Sequence, residues 1–428
     1  MGSQIINIVP EIEKEILPLL TYSFDNKVRT KSAKILPNII KILNNQNDKI
    51  IKGKLYIQSL IDAIEKEKDN HVCEKFFIKL KDVIENSGEI LNVNEVNEFF
   101  NKIMTFFNNI STKRNDLIKN RDKEKKKNKF NNNNNNNNEM EDDSDSFSNT
   151  ELIEEDIESL ENIQSEIADL IGILFKTHKN SSQEIVKIIL EKLIPNFLSQ
   201  NTNFEIKMAI YLIDDLIEFL GENYLSSQWD FFFKNLIIQV NKEDCEIRQS
   251  AAYGLGIFAQ FTNDYSKYAE ESVKNLQKSL IYTPNDNTDE EEFGLAKDNI
   301  IASIGKIIKF QGKNDFVKNN FKEIFKLWSN GLLIKYDSTE MENQHEWYCD
   351  VFLDNSNEIG DENIENYINN LIKIYMSKYG NENINKKIEK IFDILKQNEK
   401  YKNIIEKIFN NSKKENKKNK IKKLINNN

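Results

Sequence analysis

The sequence is poor in the residues that tight turns, disulfides and metal sites require. Its 428 residues include only 13 glycines, 5 prolines, 3 cysteines and 3 histidines. Sheet proteins and dinucleotide-binding enzymes need glycine at turns and phosphate loops, so the shortage favours helices joined by short turns. The cysteines, Cys73, Cys245 and Cys349, lie far apart with no CxxC spacing. They indicate neither a disulfide framework nor a zinc site, and we expect a reducing compartment.

Long apolar runs are also missing. No uninterrupted run approaches the roughly 18 residues that a membrane-spanning helix needs. Charged residues such as Glu11 and Lys14 interrupt the apolar residues near the start, which does not resemble a signal peptide. The net charge of −10 argues against nucleic acid as a direct partner, because domains that bind it usually present a net basic surface. We therefore expect a soluble protein with no membrane partner.

Catalytic chemistry lacks its usual residues as well. His71, His178 and His345 form no metal-ligand spacing such as HExxH. The stretch GLGIF at 254–258 lacks the third glycine and the preceding strand of a phosphate-binding loop, so close helix packing explains it better. His345 lies near Trp347 and Cys349, and ordinary packing explains these three residues better than a site does. We predict no enzyme, no cofactor and no metal.

What the sequence does contain is an internal repeat. An Asp or Asn is followed three residues later by an aliphatic residue, and copies recur after 44 residues (28 to 72) and 41 residues (206 to 247). Such periods are typical of HEAT and armadillo arrays. The Asp or Asn would cap the second helix of a pair, and the aliphatic residue would begin its apolar stripe. The copies are Asp25 with Val28, Asp69 with Val72, Asn203 with Ile206 and Asp244 with Ile247.

This repeat predicts an all-α HEAT-repeat α-solenoid, a superhelix of antiparallel helix pairs. Each pair would leave one apolar face uncovered, so pairs must stack to bury it. First helices are predicted at 12–20, 185–198 and 229–240. Further pairs are predicted at 265–282 with 294–310, 315–329 with 342–353, and 362–379 with 384–409.

Two charged segments are predicted to be disordered. Residues 113–129 hold nine basic and three acidic residues, an asparagine tract follows, and residues 139–161 hold eleven acidic residues and no base. Like charges repel, and an asparagine tract buries nothing. For the basic run, a nuclear-localisation or nucleic-acid patch remains open. The acidic run could bind basic cargo or fold back onto the lysines, and a solvated linker is the alternative for both runs. The predicted organisation is 1–110 HEAT-like repeats, 111–162 disordered insert leading into a helix, 163–411 HEAT-like repeats and 412–428 lysine-rich disordered tail.

One stretch is more specific than a general HEAT pattern. EIRQSAAYGLGIFAQF at 246–261 resembles the (V/L)RQAAAYGLGVMAQ-type stretch of importin beta-3 type karyopherins, which belong to the importin beta family. Upstream, IYLIDDLIEFLG at 210–221 resembles that family's FDD(V/I)IE segment. Downstream, AKDNIIASIGKIIKF at 296–310 resembles its ENxISAxGKIxKF segment. The resemblance covers most of the chain, is strongest at 204–310, and corresponds to the C-terminal half of the family pattern.

The resemblance implies a nuclear transport receptor that moves between cytoplasm and nucleus. Its implied partners are protein cargo with basic signals, phenylalanine-glycine nucleoporins and Ran-GTP, although the family's main Ran-binding repeats have no counterpart here. The chain begins in the middle of the family pattern, which fits a short paralogue or a piece of a longer protein. A HEAT-repeat scaffold without transport activity remains the alternative.

Three acidic residues are the candidate cargo-binding site. Asp214, Asp215 and Glu218 lie on a predicted second helix, where positions 214 and 218 share one face. Second helices line the concave side of a HEAT solenoid, so these carboxylates are placed to contact a basic peptide. A solvated helix face is the alternative reading of the same residues.

Overall fold

The chain folds into two compact units, Met1–Leu220 and Gly221–Asn428. The computed structural model describes residue 6 and residues 8–134, 144–200, 202–284, 288–355 and 358–426. Throughout these ranges the regular structure is helical and contains no β-strand. The predicted all-α class is therefore confirmed.

The first unit is built from helix pairs. Its helices are α1 Val9–Leu19, α2 Asn26–Ile42, α3 Gln46–Lys66, α4 Asn70–Ser87, α5 Val93–Asn134, α6 Ser144–Thr177, α7 Gln183–Ile188, α8 Ile194–Gln200 and α9 Asn203–Leu220. Helices α1 and α2, α3 and α4, α5 and α6, and α8 and α9 pack as pairs, and the second helices α2, α4, α6 and α9 also pack successively on one another. This two-layer stacking is the arrangement that HEAT pairs need to bury their second face.

The second unit repeats the same design. Its helices are α10 Glu222–Leu225, α11 Trp229–Gln239, α12 Cys245–Phe261, α13 Ala269–Leu280, α14 Glu290–Gln311, α15 Asp315–Asn319, α16 Phe321–Gly331, α17 Ser338–Asn355, α18 Asp361–Ile374, α19 Glu382–Lys396, α20 Glu399–Asn411 and α21 Glu415–Asn426. Helices α12, α14, α17, α19 and α21 form its successive second-helix layer. The HEAT-type pairing predicted from the repeat is thus present in both units.

Most repeat acids cap their helices as predicted. Asp69 Oδ1 accepts a hydrogen bond from Val72 N, and Asp244 Oδ1 accepts one from Ile247 N, both at 3.0 Å. Each carboxylate thereby satisfies a backbone donor that the first turn of a helix leaves without a partner. The copy at Asn203 is shifted by one residue. Helix α9 begins at Asn203 itself, and Thr202 Oγ1 accepts from Glu205 N at 3.4 Å.

Much of the insert that was predicted to be disordered at 111–162 lies on helices. Helix α5 continues to residue 134 and α6 begins at residue 144, so the described parts of the insert are helical. Residues 135–143, which include the end of the asparagine tract, lie outside the described residues. The first compact unit also continues across the insert to Leu220.

Ion pairs between the basic and acidic runs explain this order. Arg114 is buried, and its Nε lies 2.8 Å from Glu161 Oε1 while its Nη1 lies 2.6 Å from Glu205 Oε1. Further along the same two helices, Lys125 Nζ lies 2.7 Å from Glu154 Oε1. Opposite charges on α5 and α6 therefore meet each other, whereas each run considered alone only repels itself.

The C-terminal region is also more ordered than predicted. The lysine-rich tail at 412–428 forms α21 over most of its length, because Ile421 and Leu424 are buried where α21 packs on α18 and α19. The helix predicted at 384–409 is instead two helices, α19 and α20. Asn398 separates them and caps α20 by accepting from Lys400 N at 3.0 Å.

Glycine allows close contact between α12 and α14 in the second unit. A Cβ atom on Gly256 would lie 2.7 Å from Ser303 Oγ and 2.9 Å from Lys306 Cδ, so no larger residue fits without movement. Ser303 Oγ donates to the carbonyl oxygen of Ala252 across the contact. The YGLG and SIGK stretches of the sequence thus meet each other, and GLGIF is a helix-packing segment as expected.

Lys306 and Glu340 form a buried ion pair beside this contact, each side chain being 6% exposed. We predict that Lys306→Met lowers the free energy of unfolding by about 3–5 kcal/mol, because it leaves the Glu340 carboxylate buried without its cation. Urea denaturation followed by circular dichroism measures the change. Lys274→Met is the matched control, since Lys274 pairs with Glu270 at an exposed site. Equal losses in the two variants would contradict the prediction.

Candidate functional site

Three neighbouring second helices of the first unit bring charged side chains together. Helix α4 contributes Lys81, α6 contributes Glu166 and Asp169, and α9 contributes Asp215 and Glu218. Lys81 Nζ lies 3.1 Å from Glu166 Oε2 and 2.8 Å from Asp169 Oδ2. We call the four carboxylates the acidic cluster, with Lys81 at its edge.

Asp215 carries the most unfavourable charge of the acidic cluster. Its pKa is raised well above the usual value, first by burial and then by the negative charges of Asp169 and Glu218. The positive charge of Lys81 opposes this shift only in part. Gly172 on α6 leaves the space that the Asp215 carboxylate occupies, since a Cβ there would collide with it. The fold therefore holds a carboxylate where its charge is unfavourable.

Burial similarly raises the pKa of Glu166, although the charge of Lys81 opposes the shift. The pKa of Lys81 itself is raised, because its bonds to Asp169 and Glu166 outweigh the opposing effect of burial. Neighbouring charges of the cluster thus act on Asp215 and on Glu166. A Lys or Arg side chain from a partner would relieve the repulsion among the carboxylates.

The three predicted site residues do not share one environment. Asp214 is buried, whereas Asp215 and Glu218 lie on the side of α9 that faces the carboxylates of α6. Positions 214 and 218 still lie one turn apart on α9, but it is on Asp215 that the charge of Glu218 acts. Sequence reasoning missed Glu166 and Asp169, because only the packing of α6 on α9 brings them to Asp215. The cargo-binding role of all these residues remains a prediction.

Two of the histidines, His178 and His345, are fully buried and hydrogen-bonded. His178 is buried and its Nε2 accepts from Ile90 N and Leu91 N, both at 3.1 Å, so the ring holds the turn before α5. Burial lowers the pKa of His178 to about 4, which keeps it neutral. His345 Nδ1 lies 2.7 Å from the carbonyl oxygen of Tyr379, and burial likewise lowers its pKa to about 4.

The described residues lack two other kinds of feature. No group of three or more His, Cys, Asp or Glu residues within the described ranges is arranged to hold a metal ion. No described helix is long and apolar enough to cross a membrane.

The stacked helix pairs define the chain as a HEAT-repeat α-solenoid with the fold of karyopherins. Over 194 residues it is 24% identical to the probable importin-5 homolog of Dictyostelium discoideum, a match that covers 43% of this chain and 18% of that protein. This similarity agrees with the resemblance found in the 246–261 stretch. No protein-family profile matches the chain.

Solved structures of the karyopherin Kap121p share the fold. The structure bound to the SUMO protease Ulp1p superposes with a TM-score of 0.64 at 18% identity, covering 95% of this chain and 35% of that one. Kap121p bound to Nup53p gives a TM-score of 0.65 at 18% identity and covers 96% and 35%. Kap121p bound to RanGTP gives 0.65 at 17% and covers 95% and 35%. The chain therefore spans about a third of the length of the solved karyopherins it matches.

The unfavourable charge of Asp215 should affect the thermal stability of the chain. Because its pKa is raised in the folded state, the folded chain loses stability as pH rises from the usual Asp pKa through the raised one. We predict that Asp215→Asn raises the melting temperature at pH 7 and has a smaller effect at pH 4. Thermal unfolding across this pH range measures it. Glu98→Gln, at an exposed position of the same unit, should show no such pH-dependent gain, and a matching gain there would refute the assignment.

The thiols should be unreactive in the folded chain. Burial is the main cause that raises the pKa of Cys73 and of Cys349 to about 12, and burial also raises the pKa of Cys245. Since the thiolate is the reactive form, we predict slow labelling by a disulfide reagent at pH 7.5 and fast labelling of all three in denaturant. Rapid labelling of any thiol in the native chain would contradict this.

Proposed function

We propose that this chain acts as a nuclear transport receptor of the importin beta type. The observation that carries the proposal is the 246–261 stretch. Its residues resemble those of importin beta-3 type karyopherins, and they also pack α12 on α14 in a karyopherin fold. Its similarity to an importin-5 homolog points the same way. The function is binding without catalysis, exercised in both cytoplasm and nucleus.

The acidic cluster is the proposed cargo-binding surface. Asp215 and Glu218 would contact Lys or Arg residues of a basic signal together with Asp169 and Glu166. Asp214, which is buried, would support the same helix without direct contact. An incoming cation would offset the charge repulsion that contributes to the raised pKa of Asp215. Relief of this repulsion between carboxylates would favour binding.

Nucleoporin repeats would use a different surface. On the first helix α3, Ile51 is 64% exposed and Leu55 is 40% exposed, one turn apart. Exposed aliphatic side chains on a first helix give phenylalanine side chains an apolar contact. Several exposed side chains of this kind would suit weak, rapidly exchanged binding. Kap121p has been solved in complex with the nucleoporin Nup53p and with RanGTP, and both kinds of partner are proposed here by analogy.

A pull-down tests this function directly. The chain is passed over immobilised phenylalanine-glycine nucleoporin repeats and over a basic nuclear cargo, with and without Ran-GTP. We expect binding to both baits, because the fold and the 246–261 stretch resemble those of receptors. Release by Ran-GTP would indicate a complete transport cycle, and retention would indicate a receptor without this release switch. Binding to neither bait would leave a HEAT-repeat scaffold without transport activity.

Variants of the acidic cluster test the cargo surface. We predict that the triple variant Asp169→Asn, Asp215→Asn, Glu218→Gln weakens binding of a basic peptide by about tenfold, since each lost charge pair contributes a modest share. Fluorescence anisotropy with a labelled lysine-rich peptide measures the dissociation constant.

The control is Asp48→Asn, Glu65→Gln, Glu98→Gln, which makes the same charge change at exposed positions of the first unit. It should bind within about twofold of the unmodified chain. Equal weakening in both triple variants would mean that net charge, and not the acidic cluster, governs binding.

A further inference from the structure

The C-terminal helix carries an unusual concentration of lysine. Residues 413–423 hold seven lysines and one glutamate, in a chain whose net charge is −10. Ile421 and Leu424 are buried, and they fix α21 against α18 and α19. The lysines are therefore presented by a docked helix with a defined orientation.

Three lysines converge where α21 meets α18, and their ammonium groups bond only to neutral oxygens. Lys373 Nζ donates to Asn370 Oδ1 at 3.1 Å, and Lys417 Nζ donates to Asn369 Oδ1 at 2.8 Å. Lys420 Nζ donates to the backbone carbonyl oxygen of Lys373 at 3.2 Å. We call Lys373, Lys417 and Lys420 the lysine patch.

No described carboxylate lies within ion-pair distance of the lysine patch. Burial lowers the pKa of Lys417, and the positive charge of Lys373 adds to that effect. The pKa of Lys373 is lowered first by burial and then by the charge of Lys335 on the loop before α17. Positive charge therefore accumulates here against its own repulsion.

The lysines of the neighbouring helix α20 differ in this respect. Lys400 pairs with Asp361, Lys402 with Glu399, and Lys407 with Glu365. Lysines of this region can therefore find carboxylates, whereas those of the lysine patch do not.

We propose that the lysine patch is a docking site for an acidic protein segment that also carries an apolar residue. One exposed apolar side chain lies beside the patch: Met376, three residues after Lys373, is 52% exposed. It is contacted by a further lysine of α21, since Lys423 Nζ lies 3.7 Å from its Sδ. A protein segment can satisfy both features, with carboxylates on the lysines and an aliphatic side chain on Met376.

The same features disfavour a nucleic acid. A phosphate backbone gains affinity by contacting many cations along its length. Here Asp361, Glu362 and Glu365 occupy the first turns of α18, so a long polyanion would meet carboxylates soon after leaving the patch. A short acidic segment avoids them. This partner has the opposite charge to a basic cargo signal, so the site is distinct from the proposed cargo surface.

The test uses the full chain and a fluorescein-labelled ten-residue peptide with four glutamates on each side of two leucines. We expect saturable binding by anisotropy at low salt. The variant Lys373→Gln, Lys417→Gln, Lys420→Gln should bind about tenfold more weakly, because three charge pairs are lost. The variant with arginine at the same three positions should retain binding, which separates lost charge from lost folding.

The matched control is Lys400→Gln, Lys402→Gln, Lys407→Gln, which removes the same charge from paired lysines of the same region. It should bind within about twofold of the unmodified chain. No binding of the peptide, equal weakening by the control, or tighter binding of a ten-residue oligothymidylate would overturn the proposal. Binding of basic cargo by the patch variant should be unchanged, so failure here and failure of the transport function are distinguishable.

Discussion

Close stacking of second helices is the constraint on which the rest of the structure depends. An amphipathic helix pair leaves an apolar face exposed, and the face is buried only if the next pair lies against it. In the second unit this requires glycine, because Gly256 sits where any Cβ would meet Ser303 and Lys306. The same stacking places charged residues of successive second helices beside each other. The binding surfaces of this chain are consequences of how its pairs pack.

Charge in this fold is used in two ways. Buried pairs such as Lys306 with Glu340 and Arg114 with Glu205 join elements that are distant in sequence, and they specify which helices meet. The acidic cluster of the first unit and the lysine patch of the second instead hold like charges together at a cost in stability. Retaining such unfavourable arrangements is expected of surfaces that gain their counter-charges from a partner.

Local patterns predicted the elements well and the charged segments poorly. The Asp69 and Asp244 caps, the helical class and the paired architecture all follow from short-range spacing, and the structure confirms them. The sequence left open whether the acidic run of the insert folds back onto the basic one. Arg114 shows why the sequence could not decide this: its partners Glu161 and Glu205 belong to two other helices, which only the tertiary structure brings together.

The sequence by itself determined that this chain is helical, repeated and similar to importin beta-type receptors, because periodicity, capping and the 246–261 stretch are encoded within a few turns. It also indicated that α9 carries acidic residues of interest. Only the tertiary structure decided that Asp215 faces Asp169 across the packed helices. It alone decided that Ile421 and Leu424 hold the lysine-rich end in place. Both outcomes depend on which helix faces meet, and that is set by packing between distant segments.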